Sequence, residues 1–240
     1  VDLSEAGNQP MHNEDQTIWL VCNGEIYNYP TLRVRLEGQG HHFYSNSDSE
    51  AILHAYEAWG ERLVDHLAGM FAFALWDEKE RKLLAARDPV GIKPLYYAEQ
   101  NGSLALASQA GALVELLDHQ PAPEPLALAY VMTIGYVPSP WAIWQGAHKL
   151  EPGHLLTWQP GQRAKVRKYW EPPRAIAGSE PPTVEQLQER FQPVLEEHLL
   201  SDVPIGLFLS GGLDSTSIAA GLREIGQPVQ SLTVGFPGSP

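Results

Sequence analysis

The chain has 240 residues, 43% of them hydrophobic, which is enough for a substantial core in one large or two small domains. A formal charge of −13 argues against a nucleic-acid partner, because phosphate backbones reward basic surfaces. One cysteine excludes an internal disulfide framework and fits a reducing cytoplasm, and the longest uncharged stretch, 125–147, is broken by Pro138, Ser139 and Pro140, so no membrane span is expected.

In chain order, the first apolar run, 18–21, reads as a strand ending in a polar cluster, Asn23-Gly24-Glu25-Ile26-Tyr27-Asn28. Asn23-Gly24 taken alone is a hairpin signal and fits a plain turn. Cys22 sits inside the strand and reads as a buried hydrophobe. His41-His42 precedes a short strand, and the nine histidines show no H-E-x-x-H spacing and no C-x-x-C partner, so no structural zinc is expected. Ser47-Asp48-Ser49-Glu50 has the form of a capping box, opening a helix with Ile52, Leu53, Tyr56 and Trp59 on one face before Gly60.

Residues 71–76 alternate in bulk as a strand, turn through 77–80 and return over 83–86. Arg87 and Asp88 are at least as well explained by a structural ion pair or a turn contact as by a ligand, and Lys93 shares that ambiguity. A second hairpin pairs 95–98 with 104–107 around Asn101-Gly102. A strand over 154–157 is followed by a turn at Pro160-Gly161. The composition then shifts. Residues 171–182, E-P-P-R-A-I-A-G-S-E-P-P, are too rich in Pro and polar residues for an element interior and read as an interdomain linker. Thr183 with Gln186 makes a capping box for a helix carrying Leu187, Phe191, Val194, Leu195 and Leu199, a stripe suited to packing within its own domain.

Residues 205–209 are short, apolar and β-prone, which fits a strand buried on both faces of a parallel sheet. A helix with Ile218, Ala219 and Leu222 follows, stopped near Gly226 and Pro228 before a strand over 229–234, giving a βαβ unit. Between strand and helix lies Ser210-Gly211-Gly212-Leu213-Asp214-Ser215. The glycines permit positive φ and let an anion approach backbone N–H groups at a helix N-terminus. Asp214 would repel a phosphate unless a divalent cation, Mg2+, lay between them. No Lys follows the glycines, so this is not the G-x-x-x-x-G-K-[ST] loop.

The run resembles the pyrophosphate loop of ATP pyrophosphatases, which split ATP between its α and β phosphates. Asn23 to Asn28, Ser47 to Glu50, Gly69-Met70-Phe71-Ala72-Phe73-Ala74, Arg87-Asp88 with the segment Gly91 to Tyr97, and Leu150-Glu151-Pro152-Gly153-His154 occur in the order seen in glutamine-hydrolysing asparagine synthases, and the chain resembles that family from its first residue to about Val234. The resemblance implies an α+β domain over 1–170, an N-terminal nucleophile hydrolase-like four-layer α-β-β-α sandwich acting as a class II glutamine amidotransferase, then the linker over 171–182. Over 183–240 it implies the start of an α/β parallel-sheet ATP-pyrophosphatase domain.

The activity so implied is ATP-dependent, glutamine-hydrolysing amidation of aspartate through an acyl-adenylate, releasing AMP and pyrophosphate. Glutamine, aspartate and ATP are the implied partners, Mg2+ and ATP the implied cofactors, and a homodimer is the assembly left open. By resemblance Asn23 and Gly24 form the oxyanion hole, a side-chain amide beside a backbone N–H being a suitable donor pair. Asn23, Glu25 and Asp48 bind glutamine; Leu209, Ser210, Gly211, Gly212, Leu213, Asp214 and Ser215 bind ATP and pyrophosphate; Asp214 binds the metal.

The family's nucleophile is an N-terminal Cys, and the start Val1-Asp2-Leu3-Ser4 matches a segment downstream of it, so the sequence reads as an internal fragment expected to catalyse neither half-reaction alone. Ser108-Gln109 replaces the usual Ser-Glu, which weakens the assignment to asparagine synthesis proper. The alternatives are a paralogous amidotransferase with another acceptor, of exopolysaccharide-cluster, β-lactam or peptide-cyclising type, and a decayed homologue serving as a binding or regulatory subunit.

Overall fold

Bulk alternates along 69–77 so that Phe71, Phe73 and Leu75 point to one side and Ala72 and Ala74 to the other, and that asymmetry organises the larger part of the molecule. The computed structural model describes residues 2, 4–174, 180–201 and 203–235. The chain divides into two units, Val1–Pro172 and Pro173–Pro240. Of the linker expected over 171–182, residues 175–179 lie outside the described residues, as do Val1, Leu3, Asp202 and 236–240.

In the first unit, β1 (Met11–His12), β2 (Ile18–Ile26), α1 (Tyr29–Glu37), α2 (Glu50–Trp59), β3 (Gly69–Asp77) and β4 (Lys82–Arg87) are followed by β5 (Tyr96–Gln100), β6 (Ser103–Ala107), α3 (Ala110–Val114), α4 (Pro125–Ile134), β7 (Ala147–Lys149), β8 (His154–Trp158) and β9 (Lys165–Lys168). One antiparallel sheet has the order β1-β2-β3-β4-β8-β9, and a second has the order β6-β5-β7. On one face of the six-stranded sheet Leu20, Phe71, Phe73 and Leu84 meet Leu36 of α1 and Ile52 and Leu53 of α2. Its other face presents Ala72, Ala85 and Leu156 to Leu95, Leu150 and Tyr97, the small residues allowing two sheets to approach. Beyond the three-stranded sheet, Ala98 and Ala147 pack with Leu113 of α3 and Ala142. The result is a four-layer α-β-β-α sandwich.

The expected hairpins form. Asn101 at φ 51° and Gly102 at φ 76° make the two-residue turn between β5 and β6, where both central residues need positive φ. Three expectations are corrected. Asn23-Gly24 is not a turn: β2 continues through it, pairing Asn23 with Ala72 and Gly24 with Phe71. Residues 41–44 after the paired histidines form a loop, not a strand. The capping box at Ser47 does not close: the Ser47 hydroxyl accepts from the Ser49 N–H, while the Glu50 carboxylate reaches farther back to the N–H groups of Tyr44 (2.7 Å) and Ser45 (2.8 Å).

Glu50 to Tyr56 of α2 are all buried, so this helix carries polar groups that need partners. His54 lies between Glu50 (Nε2 to Oε1, 3.4 Å) and Glu57 (Nδ1 to Oε2, 3.0 Å). Burial alone would depress the imidazole; the two carboxylates outweigh it and hold it up to about 9.

The second unit contains α5 (Val184–His198), β10 (Gly206–Phe208), α6 (Leu213–Glu224) and β11 (Gln230–Leu232). The Thr183–Gln186 capping box closes at the start of α5, and β10 pairs with β11 in parallel around α6, as a βαβ unit requires. Phe191 and Leu195 of α5 pack over Gly221 of α6, where an added Cβ would lie 2.5 Å from Leu195 Cδ1. The strand expected to be buried on both faces is not: among the described residues its sheet has two strands, and Phe208 is 77% exposed.

Because the two sheets meet over alanines, Ala85→Leu, at a fully buried site, is expected to destabilise the first unit by about 1–3 kcal/mol through overpacking. Urea unfolding followed by tryptophan fluorescence checks this; an unchanged midpoint would mean the sheets are not in close contact.

Candidate functional site

The candidate site residues of the first unit gather at one end of β2. In an antiparallel strand, alternate residues turn both backbone groups to the same side. The Cys22 N–H donates to Gln9 Oε1 (2.7 Å) and the Cys22 carbonyl accepts from Gln9 Nε2 (2.8 Å), so Cys22 faces away from β3. Two residues on, Gly24 faces the same way. Its partner Phe71 turns its own carbonyl to β4, accepting the Asp88 N–H at 2.8 Å. Two further on, the Ile26 N–H donates to Asp48 Oδ2 at 2.6 Å. The Gly24 N–H therefore opens on the sheet edge between two occupied positions. A Cβ at Gly24 would lie 2.2 Å from the Met70 carbonyl oxygen and 2.6 Å from Phe71 Cα, so close backbone approach to β3 excludes a side chain there.

By the same alternation the side chains of Val21, Asn23 and Glu25 project to the face opposite the helices. Val21 and Asn23 line a pocket of about 200 Å³ with Ala72 and Ala74 of β3, Pro94 and Leu95, and the 106–108 end of β6. Asn23 is exposed and Glu25 half-buried. Tyr27, the next residue on that face, has its phenol pushed up first by burial and then by the nearby Glu25 and Asp88 carboxylates, which places those two acids in one neighbourhood. Asp48 is buried at the start of α2, one oxygen committed to β2.

The segment after β4 is tied down by its own backbone. Arg87 donates to the carbonyls of Lys93, Gly91 and Leu150, each at 2.7 Å, and Asp88 accepts the N–H groups of Ile92 and Lys93, each at 2.9 Å. Of the two structural readings of Arg87 and Asp88, the turn contact is the one found. These bonds fix the turn that delivers Pro94 and Leu95 to the pocket wall.

In the second unit the candidate phosphate loop bridges β10 and α6. Gly211 has φ +78°, the left-handed region that favours glycine, with no atom near its Cβ position, so backbone shape rather than space selects it. The Ser215 hydroxyl accepts from the Ser210 N–H (3.3 Å) and meets the Ser210 hydroxyl at 3.1 Å, closing the loop on itself. Leu213, Asp214 and Ser215 form the first turn of α6, whose N–H groups have no intrahelical acceptor. Asp214 is exposed. Positive backbone ends, hydroxyls and one carboxylate on a helix N-terminus are a donor set that fits a phosphate with a hard divalent cation.

Residues 1–170 match the family model of the glutamine amidotransferase domain. The chain belongs to the glutamine amidotransferase family. Residues 186–240 match the asparagine synthase model, so the resemblance to glutamine-hydrolysing asparagine synthases holds over both segments. Asparagine synthetase (glutamine-hydrolysing) 1 of Bacillus subtilis is 36% identical over 233 residues, covering 97% of this chain and 37% of that protein. An amidase of Gibberella zeae is 37% identical over 224 residues, covering 91% of this chain and 33% of that protein. The chain thus spans about a third of the length of these relatives. Among solved structures, a glutamine phosphoribosylpyrophosphate amidotransferase from B. subtilis, complexed with ADP and GMP, has a TM-score of 0.46 at 19% identity, covering 93% of this chain and 48% of that one.

Of the amidotransferase residues expected from sequence, Asn23, Gly24, Glu25 and Asp48 come to one end of the sheet. Gln9 and the 106–108 segment also line that end; Gln9 carried no local signal, and 106–108 was marked only as the end of a hairpin strand and by the Ser108-Gln109 departure. Residues 209–215 run continuously from the loop after β10 into the first turn of α6 in the other unit. Cys22 points to the helical core, where burial chiefly pushes its thiol up to about 12. That thiol is expected to resist alkylation at pH 8 in the native state and to react rapidly in denaturant, as a thiol-specific reagent with and without urea would register. Fast native reaction would refute its inert placement.

Proposed function

We propose that this chain is the amidotransferase unit and the beginning of the synthetase unit of an ATP-dependent ligase that takes nitrogen from glutamine and amidates aspartate through an acyl-adenylate, with release of AMP and pyrophosphate. The observation that carries the first half is the Gly24 N–H on an open sheet edge, beside Asn23 on a pocket wall, in a chain of this family. In that reading the Asn23 amide and the Gly24 N–H receive the oxyanion that develops on the glutamine side-chain carbonyl, and their fixed positions cost no reorganisation as charge develops. Glu25 and the second oxygen of Asp48 meet the α-ammonium of glutamine.

The second half rests on the β10–loop–α6 geometry and the asparagine synthase match. The N–H groups and hydroxyls of 209–215 hold the pyrophosphate of ATP, and Asp214 offers its carboxylate to Mg2+, which supplies charge neutralisation between acid and phosphate. Amidation of a different carboxylate is the second reading, favoured by the amidase relative.

The full-length protein given glutamine, ATP and aspartate is expected to form asparagine and AMP in equal amounts. ADP in place of AMP would refute the adenylation; AMP formed only with another acid would select the second reading. Asn23→Ala is expected to cost about 2.7–4 kcal/mol of transition-state stabilisation in glutaminase assays while sparing ammonia-dependent synthesis. Asp214→Asn is expected to abolish AMP formation and leave glutamine hydrolysis intact; unchanged AMP formation would remove Asp214 from the metal role.

A further inference from the structure

Among residues that belong to neither candidate site, the fold assembles three ligating atoms that the sequence spacing did not associate. His41 lies in the loop between α1 and α2, whereas His54 and Glu57 stand one helical turn apart on α2. Glu57 Oε2 is 3.0 Å from His54 Nδ1 and 3.3 Å from His41 Nδ1, and the three atoms lie within 4.8 Å of one another. A four-coordinate zinc site with bonds of about 2.0–2.1 Å has ligand-to-ligand edges of about 3.3 Å, so two edges are already near the required length.

Each of the two helical ligands is held from behind. The far nitrogen of His54, Nε2, faces Glu50 Oε1 at 3.4 Å, and Glu50 is itself fixed by the Tyr44 and Ser45 N–H groups. The other oxygen of Glu57 accepts Asn13 Nδ2 at 2.8 Å, and Asn13 is anchored through its own oxygen by the N–H groups of Thr17 and Ile18. A carboxylate behind a histidine and an amide behind a carboxylate are the outer partners that orient metal ligands. Charge points the same way. Glu50 is fully buried beside His54, and the acids Glu57, which is exposed, and Glu14 lie within electrostatic reach of that one buried imidazole. The cluster is not sealed: His41 and Glu57 are 19% and 22% exposed, leaving a solvent side for entry and for a water ligand.

We infer that His41, His54 and Glu57 form a site for a zinc-class divalent ion that braces the 41–45 loop against α2. Two imidazole nitrogens with one carboxylate select such an ion over Mg2+ or Ca2+, which prefer all-oxygen sets. The site is independent of the proposed reaction.

The test uses the full chain, stripped with chelator, verified as folded by circular dichroism and titrated with Zn2+ alone at pH 7.5. Calorimetry should register one tight site per chain, and the melting temperature should rise with the ion present, because an ion bound only by the folded state stabilises it. Co2+ in place of Zn2+ should give the visible absorption of a four-coordinate ion. His41→Ala and Glu57→Gln should each weaken binding by at least ~10-fold, since even outer partners are worth about 10–100-fold, whereas His42→Ala should leave it unchanged. Folded wild-type protein that takes up no zinc, or uptake that survives both ligand substitutions, overturns the inference; the wild-type titration decides even where a variant fails to fold.

Discussion

The nine-residue antiparallel register between β2 and β3, from Ile18 opposite Asp77 to Ile26 opposite Gly69, is the constraint on which the rest of the first unit depends. A slip of one residue would exchange the faces of every side chain on β2, sending Cys22 into the inter-sheet pocket and Asn23 into the helical core. The same register decides the backbone. Only because Phe71 gives its hydrogen bonds to β4 does Gly24 turn its N–H outward, and only a residue without Cβ tolerates the Met70 carbonyl so near. A glycine explained at first sight by turn propensity is therefore explained by contact, and the open donor is a consequence of that contact.

Large side chains on the helical face and alanines on the inter-sheet face extend the same logic into the layers. Phe71 and Phe73 fill the space under α1 and α2, while Ala72 and Ala85 let the second sheet come close enough to bring Pro94 and Leu95 over Asn23. The pocket is thus made by residues chosen for packing density, and its chemistry by the few polar groups that the register leaves on its rim.

What was legible in the sequence was local. The β5–β6 hairpin announced itself because Asn101 and Gly102 supply the positive φ a two-residue turn requires, and the α5 capping box because its donor and acceptor stand three residues apart. The βαβ unit could be read from strand, glycines and helix in succession. Contacts across long stretches of chain were not legible. Arg87 finds the Leu150 carbonyl sixty-three residues away, Gln9 clamps Cys22 from thirteen residues earlier, and His41 reaches α2 through a loop with no periodicity. α1 went unseen because only Leu32 and Leu36 are buried on it, too few for a stripe. At Ser47 the capping box failed for a physical reason: both Glu50 oxygens accept from N–H groups upstream, at Tyr44 and Ser45, so the short-range pattern lost to a neighbouring loop.

Two aspartates at helix starts show how similar local sequence leads to different chemistry. Asp48 precedes a helix buried on nearly every side, and its 2.6 Å bond to the Ile26 N–H is the short, charge-assisted kind that fixes one carboxylate oxygen. It ties the start of α2 to the end of β2, so any charge it offers a ligand comes from the remaining oxygen, and its position is set before a ligand arrives. Asp214 stands exposed in the first turn of α6, in the positive field of the helix N-terminus. A carboxylate so placed is stabilised by the helix yet free to turn toward a cation. Under the proposed function, the first arrangement would meet the ammonium group of glutamine with a preset acceptor, and the second would meet a metal arriving with its phosphate with a side chain able to move.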